Sequence, residues 1–247
     1  MLEDLLTVMW KERKGLLRIQ GSRWRAILTM IVPVTMVAIL APIQLGEGWL
    51  DAAWSLMASL IVPLILIGFT IPESFAGERE RHTLETLLAS RLPDRAILFG
   101  KLTLAIGVGW GMTLASLLVG LMVANLFHWT GELQMYRLDV LLSNVALSLL
   151  LSCLMANLGI LVSLRAKSTQ GAQQALVSIL LVPLMVLQIV PMLLLSVIPN
   201  GRAILEQWLS VDLLQIMAAI TAILIAANAG LLLIVMARFQ RARLCEI

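Results

Sequence analysis

The chain has 247 residues, 60% of them hydrophobic and only 13% charged, with a formal net charge of +3. Soluble domains carry roughly a quarter charged residues, so a mean hydropathy of +0.95 excludes a soluble globular fold and implies an integral membrane protein. The basic residues flank apolar runs instead of clustering on one soluble face, which excludes nucleic acid as a partner and makes them topology signals.

Residues 1–25 carry Lys11, Arg13, Lys14, Arg18, Arg23 and Arg25. Leu2, Leu5, Leu6 and Met9 recur at helical spacing, with Glu3 and Asp4 in the favourable first turn. The pattern predicts an amphipathic helix lying on the membrane surface, and residues 1–25 lack an apolar core long enough for a cleavable signal. Residues 26–46 are uncharged and suffice for a first span bent by Pro33 and Pro42. Glu47 and Asp51 mark a turn, with Trp49 and Trp54 at the interface, and residues 52–72 form a second span with Pro63 inside and Pro72 at its end.

A charged segment follows, and a third span is expected over 102–127, where Gly107 and Gly111 have GxxxG spacing. A fourth covers 140–164. There Asn144, Ser148, Ser152, Met155, Gly159 and Ser163 fall on one face, a stripe that lines either a helix contact or a pathway. Helix contact is the commoner explanation. Residues 168–201 are uncharged and too long for one span. Pro183, Pro191 and Pro199 divide them into a fifth span, 172–190, and a re-entrant or surface hairpin ending near Leu209. The sixth span is 213–237, with a ridge of Ala222, Ala226 and Gly230.

Six spans put both termini on one side, together with 16 of the 18 lysines and arginines; only Arg137 and Arg202 fall opposite. By the positive-inside rule the basic side is cytoplasmic. The fold expected is all-α and polytopic, with an interfacial helix in 1–25 and a transmembrane domain over 26–247.

The 15 acidic residues all lie in loops, tails or span ends, so no intramembrane carboxylate marks an ion-driven carrier. No Ser/His/Asp or His-rich constellation suits a hydrolase, and the cysteines, Cys153 and Cys245, and the histidines, His82 and His128, form no metal-ligand spacing. Gly100-Lys101 lacks the flanking residues of a phosphate loop. The chain is therefore expected to have no catalytic activity and no cofactor, and any uphill transport must draw its energy from another subunit.

Ten of the 33 charged residues (18 basic, 15 acidic) lie between positions 73 and 101. Glu78, Arg79, Glu80 and Arg81 alternate in sign. Thr83 can cap a short helix with Glu85 in its first turn, and Leu84, Leu87 and Leu88 share one face. A short helix with an apolar face and charged flanks suits docking into a groove on a soluble partner; the plainer alternative is a solvated loop.

The same stretch resembles the signature of ABC-2 type transporter permeases, a run like GERERGTLE-x-LLATP followed by a Gly-Lys pair opening the third span. The matching residues are Gly77 to Arg81, Thr83 to Glu85, Leu87 to Ala89, and Gly100-Lys101. His82 stands where glycine is usual and Arg91 where proline is usual, with Pro93 two residues later. The resemblance implies a membrane exporter subunit working with a second permease copy and two cytoplasmic ATPase subunits, separate chains that hold ATP and Mg. It also implies that a coupling helix is built from Glu73, Gly77, Glu78, Arg79, Glu80, Arg81, Thr83, Leu84, Glu85, Leu87 and Leu88. The location implied is the inner membrane, multi-pass, with lipid around it. A non-transporting anchor or sensor that recruits a soluble partner through the same loop is the competing reading. Spans without charge lean toward a lipophilic cargo.

Overall fold

A computed structural model describes residues 2–16, 28, 31–50, 52–83, 91–129, 131–166, 168–179, 182, 185, 189 and 213–239. Among them every regular element is helical. The elements, in chain order, are α1 (Leu2–Leu16), α2 (Ile31–Leu45), a 3-10 turn (Gly46–Leu50), α3 (Ala52–Glu80), α4 (Asp94–Phe127), α5 (Leu138–Ser163), α6 (169–179) and α7 (Leu213–Arg238). Helices α3, α4, α5 and α7 are long and apolar enough to cross a membrane. The hairpin expected before the last span, and the second half of the fifth span apart from three helical residues, lie outside the described residues.

Two helices run past the apolar segments that announce them. Helix α3 continues through Pro72 to Glu80, so Glu73, Gly77, Glu78, Arg79 and Glu80 belong to a 29-residue helix and not to a loop. Proline removes its own N–H from the ladder and crowds the carbonyl four residues back, but the groups after it remain free to pair. Helix α4 begins at Asp94, where the extended backbone of Pro93 (φ −68°, ψ 143°) turns the chain in and Asp94 meets the positive end of the helix dipole. Its 34 residues measure about 51 Å at 1.5 Å per residue, well beyond the ~30 Å of a hydrocarbon core. Helix α2 widens to a π-helix over Met36–Leu40, directly ahead of Pro42, which cannot donate to the carbonyl four residues back.

The main core lies where α3, α4 and α5 meet. Ile67, Ile71 and Phe75 pack there against Leu98, Leu102, Ala156 and Ile160, with Val8 of α1 and Val235 of α7 closing the sides. A second, smaller core at the other end gathers Trp49, Ala58, Leu117 and Ala124. Trp49, expected at the interface, is fully buried, whereas Trp54 is exposed.

The stripe Asn144, Ser148, Ser152, Met155, Gly159 and Ser163 is buried within the bundle. Asn144 accepts from Ser59 Oγ at 2.8 Å and donates to Ser55 Oγ at 3.0 Å, both on α3. Small residues thus let α3 and α5 approach, and the polar ones bind across the contact. The glycines with GxxxG spacing do not serve this purpose: Gly107 and Gly111 face open space, as does Gly230. Ala222, Ala226 and Gly230 likewise point outward from α7.

Candidate functional site

The last two turns of α3 carry the charge run, and each charge is spoken for. Glu78 faces α4 and α1: its Oε2 accepts from Lys101 Nζ at 2.8 Å and its Oε1 from Lys11 Nζ at 2.6 Å. Arg79 reaches the carboxyl end of α5, donating to the carbonyls of Leu164 (3.1 Å) and Ala166 (3.4 Å). Such carbonyls have no partner inside a helix, so a guanidinium there supplies a missing donor. Glu80 accepts from the N–H and hydroxyl of Thr169 at the start of α6, at 3.2 and 3.0 Å. Arg81 pairs back with Glu73. The run therefore joins α3 to α1, α4, α5 and α6.

Lys101 is the centre of this knot. Its side chain has no exposed surface, a condition a lysine tolerates only when paired. Besides Glu78 it donates to the Ser74 carbonyl at 2.6 Å and the Ser74 hydroxyl at 3.0 Å, stands 3.1 Å from Glu12 Oε1, and lies 4.9 Å from the centre of the Phe75 ring. Ser74 in turn donates to Glu12 Oε2 at 2.9 Å. Lys11, Glu12, Glu78 and Lys101 together make two cations and two anions, so the cluster carries no net charge.

Glycine makes the knot possible. A Cβ at Gly100 would stand 2.7 Å from Val8 Cγ1, so α1 can lie close enough for Glu12 to reach Lys101 only because residue 100 has none. Gly77 is also tight, with Thr169 and Glu73 at 3.3 and 3.4 Å from such an atom. The sequence pattern singles out Gly100 and Lys101 but misses Glu12, Ser74 and Lys11. Glu12 hides as one acid in a basic stretch, and its only local signal is a position one helical turn after Val8. Leu5 and Met9 are half-buried while Leu6 is exposed, so the apolar stripe of α1 is split between the bundle and the outside.

Beyond Glu80 the helix closes in a left-handed turn. The Thr83 N–H donates to the Glu78 carbonyl at 2.8 Å and the His82 N–H to the Arg79 carbonyl at 3.0 Å, the paired bonds of a Schellman end. His82 takes φ +55°, the conformation that glycine adopts without penalty. The departure at 82 therefore keeps the turn and strains it. The Thr83 hydroxyl donates back to the Glu78 carbonyl at 3.1 Å. Leu84, Glu85, Leu87 and Leu88, the face expected to dock a partner, lie outside the described residues.

At the opposite end the ion pair between Arg137 and Asp139, at 2.9 Å, is exposed, and the buried contacts are made by uncharged side chains. Trp49 sits in a notch left by Gly120, where a Cβ would stand 2.5 Å from its Nε1. Asn125 clamps the α4–α5 connection, donating to the Gln134 carbonyl (2.9 Å) and accepting from the Gln134 N–H (2.8 Å). Tyr136 donates to the Leu117 carbonyl at 3.1 Å, and burial pushes its phenol up to about 12. Among the described residues no group of histidines, cysteines or carboxylates could hold a metal ion.

A family model described as ABC-2 family transporter protein matches residues 50–236, well over half of the chain. No curated protein matches the chain.

Proposed function

The chain belongs to the ABC-2 family of transporter proteins, and from that premise we propose that it is the permease subunit of an ATP-driven exporter, moving a lipophilic cargo across the inner membrane. It is a multi-pass membrane component without catalysis of its own. Two copies of a separate ATPase chain, holding ATP and Mg, drive it from the cytoplasm, and a second permease copy completes the pathway. Six spans place both termini beside the charged knot, on the cytoplasmic side where the basic residues concentrate.

The observation that carries this reading is the knot itself. A load applied to residues 84–88 enters α3 through Thr83 and His82. From there it passes to α1 and α4 through Glu78 and Lys101, to α5 through Arg79 and to α6 through Glu80. Charges committed to internal contacts leave the docking itself to Leu84, Leu87 and Leu88. Each leucine buried in a partner groove contributes roughly 1.5–3 kcal/mol, and every 1.4 kcal/mol is about tenfold in affinity.

The test is the double change Leu84→Ala and Leu87→Ala in membranes that also hold the ATPase. Loss of ATPase co-purification, by about a hundredfold or more in affinity, together with loss of stimulated ATP turnover is expected. Unchanged pull-down with unchanged turnover would overturn the assignment of this segment as the coupling helix and favour a non-transporting anchor.

A further inference from the structure

On a different side of the bundle, a groove of about 250 Å³ lies between α4, α5 and α7. Thr103 and Ile106 come from α4, Cys153 and Asn157 from α5, Asn228 and Leu232 from α7, and among the described residues no charged one lines it. Thr103 is exposed to the surroundings, whereas Asn157 is only 4% exposed. The two asparagines meet at the groove. Asn228 has committed its Nδ2 protons to the carbonyls of Leu150 (3.0 Å) and Leu224 (2.9 Å). Asn157 Nδ2 donates to Asn228 Oδ1 at 3.5 Å, the outer limit of such a bond, and Asn157 Oδ1 accepts nothing.

An amide on a membrane-spanning helix has no water to complete it, and a buried acceptor left empty is unfavourable. One long bond is all that holds the Asn157 amide, so turning its oxygen toward the groove sacrifices little. We propose that this groove binds a neutral amphiphile drawn from the bilayer: an apolar chain carrying a hydroxyl or amide N–H that donates to Asn157 Oδ1. The volume fits part of a chain and not a whole drug-sized molecule, whose pockets run about 300–1,000 Å³. A charged headgroup is disfavoured because no described residue of the lining would pair with it. As the class of cargo this deepens the permease reading; the binding itself does not depend on it.

The experiment uses the full chain in lipid nanodiscs without any ATPase, so its outcome is separate from that of the leucine changes. The probe is a long-chain alcohol carrying a diazirine, compared with its methyl ether, which cannot donate. Photolysis followed by peptide mapping should place the alcohol's adducts on the groove residues. Asn157→Leu should reduce that labelling about fivefold or more, the effect of one lost hydrogen bond, and the ether should label both proteins at the reduced level. Ala229→Phe, which fills the groove from an exposed position and leaves Asn157 untouched, should do the same if the leucine variant fails to fold. Labelling of the outward-facing Ile223, 67% exposed, should not change. Adducts spread evenly over lipid-facing residues, or equal labelling by alcohol and ether, would overturn the proposal.

Discussion

At one end of the bundle Lys101, Glu78, Glu12 and Lys11 hold α1, α3 and α4 together through charge; at the other, Trp49 fills the notch at Gly120 and Tyr136 bonds the Leu117 carbonyl, so shape and a neutral hydrogen bond close the structure. The two solutions differ in what they tolerate. An ion-pair cluster is directional, and removing one member leaves the others buried and unpaired. A ring seated in a notch is limited mainly by volume, and the neutral hydrogen bond beside it is less severe to lose than a buried charge. The directional joint lies next to the segment proposed to receive force, where a fixed geometry has a use. The uncharged joint lies at the far end, where closure is enough.

Lys101→Met is the most severe way to break the comparison. It leaves Glu12 and Glu78 facing one another with only Lys11 between them, at 3.8 and 2.6 Å. Breaking a buried pair from one side costs about 3–5 kcal/mol, so thermal unfolding in detergent should begin many degrees lower and α1 should become accessible to protease. Replacing Lys101, Glu12 and Glu78 together by apolar residues should recover much of that loss, because the penalty arises from the orphaned charges. A triple variant as unstable as the single one would show that the lysine acts through packing alone.

At the other end volume decides. Gly120→Leu drives a side chain into the Trp49 ring, and overpacking costs about 1–3 kcal/mol. Gly107→Ala adds a methyl group where nothing lies within 4 Å, and its midpoint should match the parent within error. If both changes destabilised equally, the notch at Gly120 would not be what seats Trp49.

A smaller effect, of opposite sign, is expected at the exit of α3. His82 holds φ +55°, which costs an L-residue roughly 1–2 kcal/mol, while glycine returns about 0.5–1 kcal/mol of that through its freer unfolded chain. His82→Gly should therefore stabilise the protein by about 0.5–1 kcal/mol, read as a raised unfolding midpoint. A lowered midpoint would mean that the imidazole makes contacts worth more than the strain.

Much of this architecture is legible in the sequence. The uncharged runs locate α3, α4, α5 and α7, because twenty apolar residues have few other uses. The one-sided spacing of Asn144, Ser148 and Ser152 marks the face on which α5 meets α3. Helix ends are not legible in the same way. Hydropathy reports what surrounds a residue and not whether its backbone continues a helix, so the extension of α3 to Glu80 and the start of α4 at Asp94 escape it. Gly107 and Gly111 mislead because spacing cannot say which face is turned inward; among the described residues the closest approaches are at Gly100, Gly109, Gly120 and Gly159. Glu12 was hidden for a related reason: its partners lie far along the chain, and nothing near it distinguishes a buried acid from a solvated one.

The gentlest probe of the contrast is the titration of Tyr136. It is the chain's one tyrosine, so tyrosinate absorbance reports a single site. Burial among apolar groups disfavours the charged phenolate, and the value is raised to about 12 from an ordinary ~10. The hydroxyl also donates to the Leu117 carbonyl, a bond that the phenolate cannot make. Because the folded value is raised, the stabilisation is fully present below the unfolded value of about 10 and is lost as pH rises toward 12. Absorbance near neutral pH should be flat, and the midpoint should lie close to 12 in the intact protein and fall to about 10 once it is denatured. Lys101→Met, acting at the far end, should leave the midpoint unchanged wherever the protein is still folded. A midpoint near 10 in the parent would mean that Tyr136 is solvated, and that this end of the bundle is not sealed by its aromatic residues.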